Sequence, residues 1–527
     1  MKSISLKVVL YFTICLAIVS CTGGCKGCKD SDSGPWAKFK PLNEIDKHID
    51  GYYSASLGEA SNPKSGNSAV YIDFSDGLVQ AYTKNPSNVQ IIQAITNRLV
   101  SKEIQWYSLG DAKISKLEFT SNELFNKVSD PKQYKTIMAP IQEALKTITS
   151  ANNDALLVTD YEEYTPDGKE QFENYPKSYF IDWLKKGNSI TFFYTNYTEV
   201  NAKTKISSDK HLYFTVFTHG RSTETSIVSQ IKDALKGRSF TIKQFDLNNN
   251  PYTVSNDYGG KEMTGIVNKS FAKYVTYNNN ALLDKKLPFE AIGLNKPWNE
   301  ELDKYVKNII EKEEGVLINR LFLNASDQTS YKLGKLTVNV YDVSKDYEKY
   351  AQCEEAKIHS PKLEKDPGKN DAWTKESAKD PITSSCYEPK TTNIKKEWIY
   401  VASNSKDDLK PVEELFGYDE KIFGDHLKNS PDKIELITKF HKNYKLKNVK
   451  KTDALLRVDY VIDDASFNDS NPQLADFQWT STTVKNTPNN SLAEAIRNTL
   501  IDPSVNPKGR IVYSYFIKLN NPSKTDK

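Results

Sequence analysis

Apolar and polar positions in the first half of the chain follow two different periods, and the sequence passes repeatedly from one to the other. Short apolar runs that favour strands occur at residues 68–73, 104–109, 155–159, 189–194 and 211–218. Stretches with apolar residues at helical spacing occur at residues 89–100, 134–148, 179–186 and 226–235. Because a strand–helix alternation of this kind is typical of a parallel sheet covered on both faces, we predict an α/β domain over residues 50–240.

The second half of the chain has a different pattern, which begins after the loop signal at residues 248–251. Strands are predicted at residues 333–343, 398–402, 454–462, 475–483 and 510–519, and helices at residues 298–311, 432–441 and 491–500. The strands alternate apolar and polar residues, which favours antiparallel pairing with one solvated face. We therefore expect an α+β or β-rich module over residues 241–527.

The N-terminus has the pattern of an export signal. Two early lysines precede an almost uncharged apolar run at residues 8–19, which is too short to span a bilayer comfortably. The run leads into Ile18-Val19-Ser20-Cys21, which resembles the bacterial lipobox. This resemblance implies that residues 1–20 are removed and that Cys21 carries fatty acyl chains such as palmitate. An ordinary signal peptide with a chance cysteine is the alternative.

Residues 21–49 are predicted to form a flexible tether, since residues 22–34 are rich in Gly, Ser, Asp and Lys without an apolar pattern. Within them, Lys29-Asp30-Ser31-Asp32 loosely resembles the charged signals that send lipoproteins of Bacteroidetes-type bacteria to the outer face of the envelope. This resemblance implies a protein of the outer membrane or cell surface, held to the membrane by its lipid. The periplasmic side is the alternative.

The cysteines fit an oxidising compartment. The simplest pairing joins Cys353 with Cys386, which brackets a Lys-, Asp- and Pro-rich insertion at residues 353–386, and Cys25 with Cys28. The second pair lies in the tether and lacks the packed surroundings of a redox motif and the further ligands of a zinc site. We therefore predict a structural disulfide between Cys353 and Cys386.

Composition and motifs narrow the class of protein. The 527 residues include 71 Lys and Arg against 68 Asp and Glu, and no basic stripe stands out, which argues against a nucleic-acid binder. The sequence has no HExxH, no GxSxG nucleophile elbow and no phosphate-binding loop. His219 follows a predicted strand and could face the same loops as Asp73, although a lone loop histidine is more often solvated. We predict a protein that is not an enzyme.

Two acidic residues follow predicted parallel strands, at the edge where ligands of such sheets bind. Asp73 begins the sequence Asp73-Phe74-Ser75-Asp76-Gly77, and Asp160 follows the strand at residues 155–159. Because Mg²⁺ takes few carboxylates and completes its octahedron with hydroxyls and waters, Asp73, Ser75 and Asp160 form a plausible set of ligands. The alternative is that both aspartates cap helices or are simply solvated.

These motifs resemble the metal-ion-dependent adhesion site of von Willebrand factor A domains, over roughly residues 65–240. Asp73 and Ser75 match the first two positions of its DxSxS motif, and Asp160 matches the aspartate of its TDG-like turn. Three positions depart from the family's pattern: Gly77 replaces the second serine, Tyr161 replaces the glycine, and Thr136, the nearest counterpart of the middle threonine, lies somewhat too far upstream. The resemblance implies the parallel-sheet fold of that family and Mg²⁺ bound by Asp73, Ser75 and Asp160.

We therefore expect a lipid-anchored envelope or cell-surface protein whose first domain binds a protein, a glycan or another acidic ligand. The acidic group of the ligand would complete the coordination of the Mg²⁺ ion. One alternative is a structural subunit of an envelope assembly that binds no metal. Another is a hydrolase on the same scaffold, which rests on analogy with other parallel-sheet enzymes.

Overall fold

The computed structural model describes most of the chain from residue 39 onwards, in separate stretches. The described stretches are residues 39–57, 68–99, 104–110, 113–118, 121–248 (without 137, 152, 166–167 and 220–225), 252–256, 275–278, 289–294, 316–325, 330–359, 386–391, 396–400, 416–441 and 454–520, together with a few isolated positions. The predicted signal peptide, Cys21 and the Cys25–Cys28 pair lie outside the described residues.

A seven-stranded mixed sheet forms the centre of the first half of the chain. Its strands are β1 (Ser68–Asp73), β2 (Ile104–Gly110), β3 (Lys113–Leu117), β4 (Ala155–Thr159), β5 (Ser189–Val200), β6 (Ser207–Thr218) and β7 (Lys243–Leu247). Their order is β3-β2-β1-β4-β6-β5-β7, in which β1 is parallel to both β2 and β4. The other neighbours are antiparallel. The α/β class is confirmed, and the predicted parallel pairing is found only among β2, β1 and β4.

The antiparallel half of the sheet arises from the short connection between β5 and β6. Both strands are 12 residues long, and only residues 201–206 join them. A parallel connection needs a crossover of a dozen or more residues, so a turn of this length forces a hairpin. The polar residues that follow residue 194 continue the strand and do not form a loop.

Helices cover both faces of this sheet because successive residues of each strand point to opposite sides. The helices of this half are α2 (Val79–Thr83), α3 (Pro86–Leu99), α4 (Ser121–Ser129), α5 (Ile141–Ser150), α6 (Pro176–Leu184) and α7 (Ile227–Leu235). Val70 and Ile72 pack in one core with α2, α3, α4 and α7. Tyr71, between them in β1, packs in the other core with α5 and α6.

A returning segment from the end of the chain completes the second face of the sheet. It contains a 3₁₀ helix at Pro472–Phe477, the short strands β18 (Trp479–Thr480) and β19 (Pro488–Asn489), and the helix α10 (Ser491–Leu500). Phe477, Leu492 and Ile496 belong to the same buried core as Tyr71. The predicted strand at residues 475–483 is therefore wrong over most of its length. The predicted helix at residues 491–500 is confirmed.

Two further sheets, with one parallel strand pair among otherwise antiparallel ones, form the module in the second half. The five-stranded sheet has the order β12-β17-β20-β10-β9, and the four-stranded sheet has the order β15-β16-β11-β8. The strands of the two sheets are β8 (Thr253–Asn256), β9 (Val275–Asn278), β10 (Phe289–Leu294), β11 (Val316–Asn324), β12 (Tyr331–Asp342), β15 (Phe416–Tyr418), β16 (Ile434–Phe440), β17 (Ala454–Phe467) and β20 (Ile511–Asn520). A separate hairpin pairs β13 (Tyr387–Thr391) with β14 (Lys396–Tyr400). Leu321 and Leu436 of one sheet share a core with Val458 and Ile517 of the other. The helix predicted at residues 432–441 is therefore wrong, since most of that segment is strand β16.

Two helices of this module are described over their whole length, α8 (Ser344–His359) and α9 (Glu420–Asn429). Cys353 of α8 and Cys386 form a disulfide with their Cα atoms 5.5 Å apart, in agreement with the predicted pairing. Within the described residues, no helix is long and apolar enough to cross a membrane.

The first described residues belong to the second module and not to the seven-stranded sheet. Phe39, Ile45 and Ile49, together with Tyr52 of α1 (Ile49–Leu57), are buried in a cluster with residues of α8, β17 and β20. Tyr52 donates a hydrogen bond from its hydroxyl to Asp346 at 2.7 Å. Residues 39–49 were counted in the predicted flexible tether, and this part of that prediction is wrong because their apolar side chains are packed.

The predicted boundary near residue 241 separates two sheets but not two independent segments of chain. The N-terminal residues pack on the second module, and the returning segment packs on the first sheet. At the junction, Tyr331 donates a hydrogen bond to the carbonyl of Leu500 at 2.8 Å, and Ser330 donates one to the carbonyl of Asp246 at 2.5 Å. The described contacts therefore cross the predicted division in both directions.

Candidate functional site

Asp73 lies at the carboxyl end of β1 and is completely buried. Its Oδ1 atom accepts a hydrogen bond from the backbone N–H of Ser75 at 2.7 Å. Its Oδ2 atom accepts one from the Oγ1 hydroxyl of Thr159 at 2.7 Å. Asp73 therefore joins the ends of β1 and β4, and both of its oxygens have protein donors.

Asp160 directly follows β4 and is also buried. Its Oδ1 atom accepts a hydrogen bond from the backbone N–H of Glu162 at 3.1 Å, and its Oδ2 atom accepts one from the hydroxyl of Tyr197 at 2.7 Å. The next residue, Tyr161, has a φ of +62°, a left-handed conformation that a bulky residue rarely adopts. The turn after Asp160 therefore has a backbone suited to glycine even though tyrosine occupies it.

Ser75 and Thr136 are brought side by side. The two residues form an isolated parallel β-bridge, and the backbone N–H of Asp76 donates to the carbonyl of Thr136 at 2.8 Å. The hydroxyl of Thr136 donates to the carbonyl of Met138 at 3.2 Å. The structure thus gathers Asp73, Ser75, Thr136 and Asp160 at one edge of the sheet, where the carboxyl ends of β1 and β4 meet the turn at residues 201–206. We call this edge the loop edge.

A buried lysine in this region was missed by the sequence reasoning. Lys210 of β6 places its Nζ atom 2.6 Å from Oε2 of Glu162, and it also forms an ion pair with Glu199 of β5. A Cβ atom added at Gly77 would lie 3.8 to 4.0 Å from carboxylate oxygens of Glu162, Asp160 and Glu199. Three carboxylates therefore surround one small space, with the ammonium group of Lys210 among them.

The alternation of residues within the hairpin is the signal that could have identified this cluster. Glu199 lies two residues after the buried Tyr197, and Lys210 lies two residues before the buried Leu212. Because strand residues two apart share a face, both charges must point inward once β5 and β6 are extended into a hairpin. The first predicted strand ended at residue 194 and the second began at residue 211, so neither Glu199 nor Lys210 fell within a predicted strand.

Burial dominates the electrostatics of the cluster. Burial first, and then the charge of Asp160, raise the pKa of Asp73 to about 7. Burial also raises the pKa of Glu162 to about 8, with the charges of Asp160 and Glu199 adding to it and that of Lys210 opposing it. For Lys210, burial alone would lower the pKa, but the carboxylates of Glu162, Asp160 and Glu199 outweigh it and raise the pKa. Lys210 is therefore charged at neutral pH and serves as the counter-ion of the cluster.

The residues present do not fit a Mg²⁺ site well. Every oxygen of Asp73 and Asp160 already accepts a hydrogen bond, and the buried ammonium of Lys210 repels a second cation from the neighbouring carboxylates. Within the stretches that the structure describes, no group of three or more His, Cys, Asp or Glu side chains has an arrangement that could hold a metal ion. We therefore assign the role of the cation at the loop edge to Lys210, and derive nothing from a bound metal.

His219 lies at the opposite edge of the sheet from Asp73. It follows β6, which is antiparallel to β4, and its backbone N–H donates to Oδ1 of Asp154 at 2.9 Å. Asp154 precedes β4, whereas Asp160 follows it. The suggestion that His219 could face the same loops as Asp73 is therefore wrong, because it assumed a parallel β6.

The loop that follows Asp160 is fastened to the returning segment by Glu170. The buried Glu170 carboxylate accepts hydrogen bonds from Asn489 at 2.7 Å, from Thr483 at 3.0 Å, from the indole N–H of Trp479 at 3.3 Å, and from the hydroxyl of Ser481. The turn at residues 201–206 is attached to the same segment, since Thr204 donates to the carbonyl of Thr482 at 2.6 Å. Hydrogen bonds to the returning segment therefore connect the loops at the loop edge with one another.

The geometry defines an α/β protein with a mixed sheet. At one edge of the sheet, the buried ammonium group of Lys210 is the counter-ion of an acidic cluster, and exposed loops surround this cluster. No family model matches the chain, and no curated protein and no solved structure matches it either.

Proposed function

We propose that this chain is a lipid-anchored envelope or cell-surface protein whose α/β domain binds a protein or another acidic ligand through the loop edge. The observation that carries the proposal is the convergence of Asp73, Ser75, Thr136 and Asp160 beneath exposed loops at one edge of the sheet. The same convergence positions the adhesion site of von Willebrand factor A domains, to which these motifs are similar.

Two further observations favour a domain related to that family. In the order β3-β2-β1-β4, β1 is parallel to both of its neighbours, and the edge strand β3 is antiparallel to β2. This half of the sheet therefore supports the parallel arrangement that the resemblance implies. The left-handed backbone of Tyr161 supports a turn that once suited glycine, as in the TDG-like motif. In this proposal the β5–β6 hairpin is a departure from the parallel arrangement, and Lys210 replaces the metal ion.

The anchor in this proposal is the lipid on Cys21. Its support is the lipobox-like sequence. The packed segment at residues 39–57 would attach the end of the tether to the folded part of the protein. Substitution of Cys21 by alanine is expected to move the protein from the membrane fraction to the soluble fraction after cell lysis. Retention of the variant in the membrane fraction would contradict lipid anchoring.

Site-specific photo-crosslinking in intact cells tests the binding edge. A photo-reactive amino acid at Ala202, which is exposed in the turn at residues 201–206, should give a discrete crosslinked product. The matched control carries the same group at Lys428, which is exposed on α9 away from the loop edge. The product should persist after chelation with EDTA, because no metal ion takes part. A product of equal yield at both positions, or none at Ala202, would refute the proposal.

A structural subunit of an envelope assembly is the second candidate. It is favoured by the internal neutralisation of the acidic cluster, which leaves the loop edge stable without any ligand. In that case the crosslink at Ala202 should involve a partner in fixed stoichiometry under all growth conditions. A ligand-binding protein should instead give a yield that follows the supply of ligand.

A further inference from the structure

Large apolar side chains are exposed at the loop edge. Among the residues that the structure describes, four large hydrophobic residues are strongly exposed: Phe172, Val200, Val484 and Ile501. Phe172 and Val484 lie on loops of the loop edge, Val200 ends β5 directly before the turn at residues 201–206, and Ile501 lies elsewhere, after α10. Exposed apolar residues that are grouped in this way mark interaction surfaces, whereas scattered ones need no explanation.

Lysines accompany these apolar residues. Lys203 and Lys205 are exposed in the turn beside Val200, and Lys485 is exposed next to Val484. Within the described part of the chain, none of the three forms an ion pair. Lys205 also has a φ of +59°, a conformation that glycine or asparagine adopts with less strain. Backbone strain of this kind is often found at ligand-binding sites.

The loops that carry these residues are held together by the hydrogen bonds of the returning segment. Glu170 accepts bonds from Ser481 and Thr483, immediately before Val484, and Thr204 bonds to Thr482. The apolar and basic side chains are therefore presented on a pre-organised surface, which lowers the entropic cost of binding. We call the surface formed by Val200, Lys203, Lys205, Val484 and Lys485 the basic rim.

From this arrangement we infer that the basic rim is a docking surface for an acidic polypeptide segment that also carries apolar side chains. The inference rests on the proposed function and names the chemistry of its ligand. The three lysines pair with carboxylates, and Val200 and Val484 bury apolar side chains of the partner.

Binding of a designed peptide to the full-length protein in detergent tests this inference. The probe is a fluorescent 12-residue peptide of alternating Glu and Leu, and its counterpart alternates Lys and Leu. The variant replaces Lys203, Lys205 and Lys485 by Glu. The matched control replaces Lys232, Lys236 and Lys428 by Glu, which changes the net charge equally at exposed positions away from the rim.

We expect the Glu/Leu peptide to bind the wild type and the control alike, and the rim variant at least tenfold more weakly. A second variant, Val484→Ser, should weaken binding about threefold without changing the charge. Equal affinity for the rim variant and the control, or no binding of the Glu/Leu peptide by the wild type, would overturn the inference.

Two other outcomes identify other occupants and also overturn it. Binding to vesicles of 30 % phosphatidylglycerol in phosphatidylcholine that the rim variant loses, without peptide binding, would assign the rim to a membrane. A dimer in sedimentation velocity that the rim variant loses would assign it to a second copy of the chain. If the crosslink at Ala202 persists in the rim variant, the proposed function stands while this inference fails.

Discussion

At the scale of single residues, Lys210 is the side chain that decides the chemistry of the loop edge. Its ammonium group lies in a cluster that also holds Asp160, Glu162 and Glu199, all removed from water. A buried charge of this kind is tolerated only when it is paired and hydrogen-bonded, since the desolvation of each ion is costly. The lysine and the carboxylates therefore depend on one another, and neither can be changed alone without cost.

Replacement of Lys210 by methionine should lower the free energy of unfolding by about 3–5 kcal/mol, because buried carboxylates lose their counter-ion. Urea denaturation at pH 7 measures the loss, with Lys232→Met as the exposed control. At pH 5 the loss should be smaller, since burial raises the pKa of Glu199 and this carboxylate can then take up a proton. A loss below about 1 kcal/mol at pH 7 would mean that the cluster is solvated.

Asp73 gives the protein a specific dependence of stability on pH. Its folded-state pKa of about 7 lies above the ordinary value of 3.8, so the folded state favours the protonated carboxyl. The stability contributed by this group is therefore complete below about pH 4 and is lost as the pH rises to about 7, by roughly 1.4 kcal/mol for each unit of pKa elevation.

The Asp73→Asn variant should remove this part of the pH dependence while it keeps an oxygen acceptor for the backbone N–H of Ser75. Thermal unfolding of the variant and the wild type between pH 5 and pH 8 provides the measurement. The difference in stability should move in favour of the variant as the pH rises. A constant difference over this range would show that Asp73 does not titrate there.

At the scale of elements, sequence patterns identified the parts of the sheet whose residues have one dominant period. The strands β1 and β4 and the helices α3 and α7 match predicted segments, because their apolar residues recur at a single spacing. The helix predicted at residues 134–148 is confirmed only from Ile141, since Pro140 precedes the first turn of α5. The strand β16 was mistaken for a helix because Ile434, Leu436 and Ile437 fit both periods over so short a stretch. Short apolar runs are ambiguous in this way, and only the neighbouring strands β11 and β15 decide the outcome.

The contacts that complete the loop edge could not be predicted from local pattern. Glu170 and Ser481 are 311 positions apart, and nothing in either sequence context indicates the other. Asp73 and Asp160 could be placed at one edge because parallel strands end together, which is a general property of such sheets. Their partners Thr159 and Tyr197 follow from pairing and register, which depend on the whole sheet.

The bonds to Glu170 should make the returning segment sensitive to one substitution. Glu170→Ala leaves the donors of Ser481 and Asn489 without this acceptor, and it should lower the free energy of unfolding by about 3 kcal/mol. It should also accelerate proteolytic cleavage within residues 479–489. The control Glu173→Ala removes an exposed carboxylate from the same loop and should change neither property. Equal cleavage of both variants would argue against a fastening role for Glu170.

At the scale of the whole molecule, the chain crosses between its two modules at both ends. The N-terminal residues complete the core of the second module, and residues 472–505 cover one face of the first sheet. The loop signal at residues 248–251, from which the boundary was predicted, does not reveal this arrangement. Residues 39–57 and 472–505 have the same amphipathic pattern as any other helix or strand. The modules are therefore expected to depend on one another for stability.

A fragment of residues 68–248, which contains all seven strands of the first sheet, tests that dependence. Without the returning segment, Tyr71, Phe192 and other core residues of one face would be exposed, so the fragment should lack cooperative thermal unfolding and should bind a hydrophobic dye. A fusion of residues 468–509 to the fragment through a flexible linker should restore cooperative unfolding. Cooperative unfolding of the fragment alone would show that the predicted boundary is also a folding boundary.

The length and position of β17 would have a mechanical consequence in the proposed anchored protein. Residues 39–57 pack near Leu455 at one end of this strand, and the first sheet is contacted near Phe467 at the other end. A pull between these two ends would run along β17, which is paired with β12 on one side and with β20 on the other. The hydrogen bonds on both sides would then resist the pull together in shear, and they could not be opened one at a time as in a peeled hairpin. In the proposed protein, this strand would carry load between the two modules.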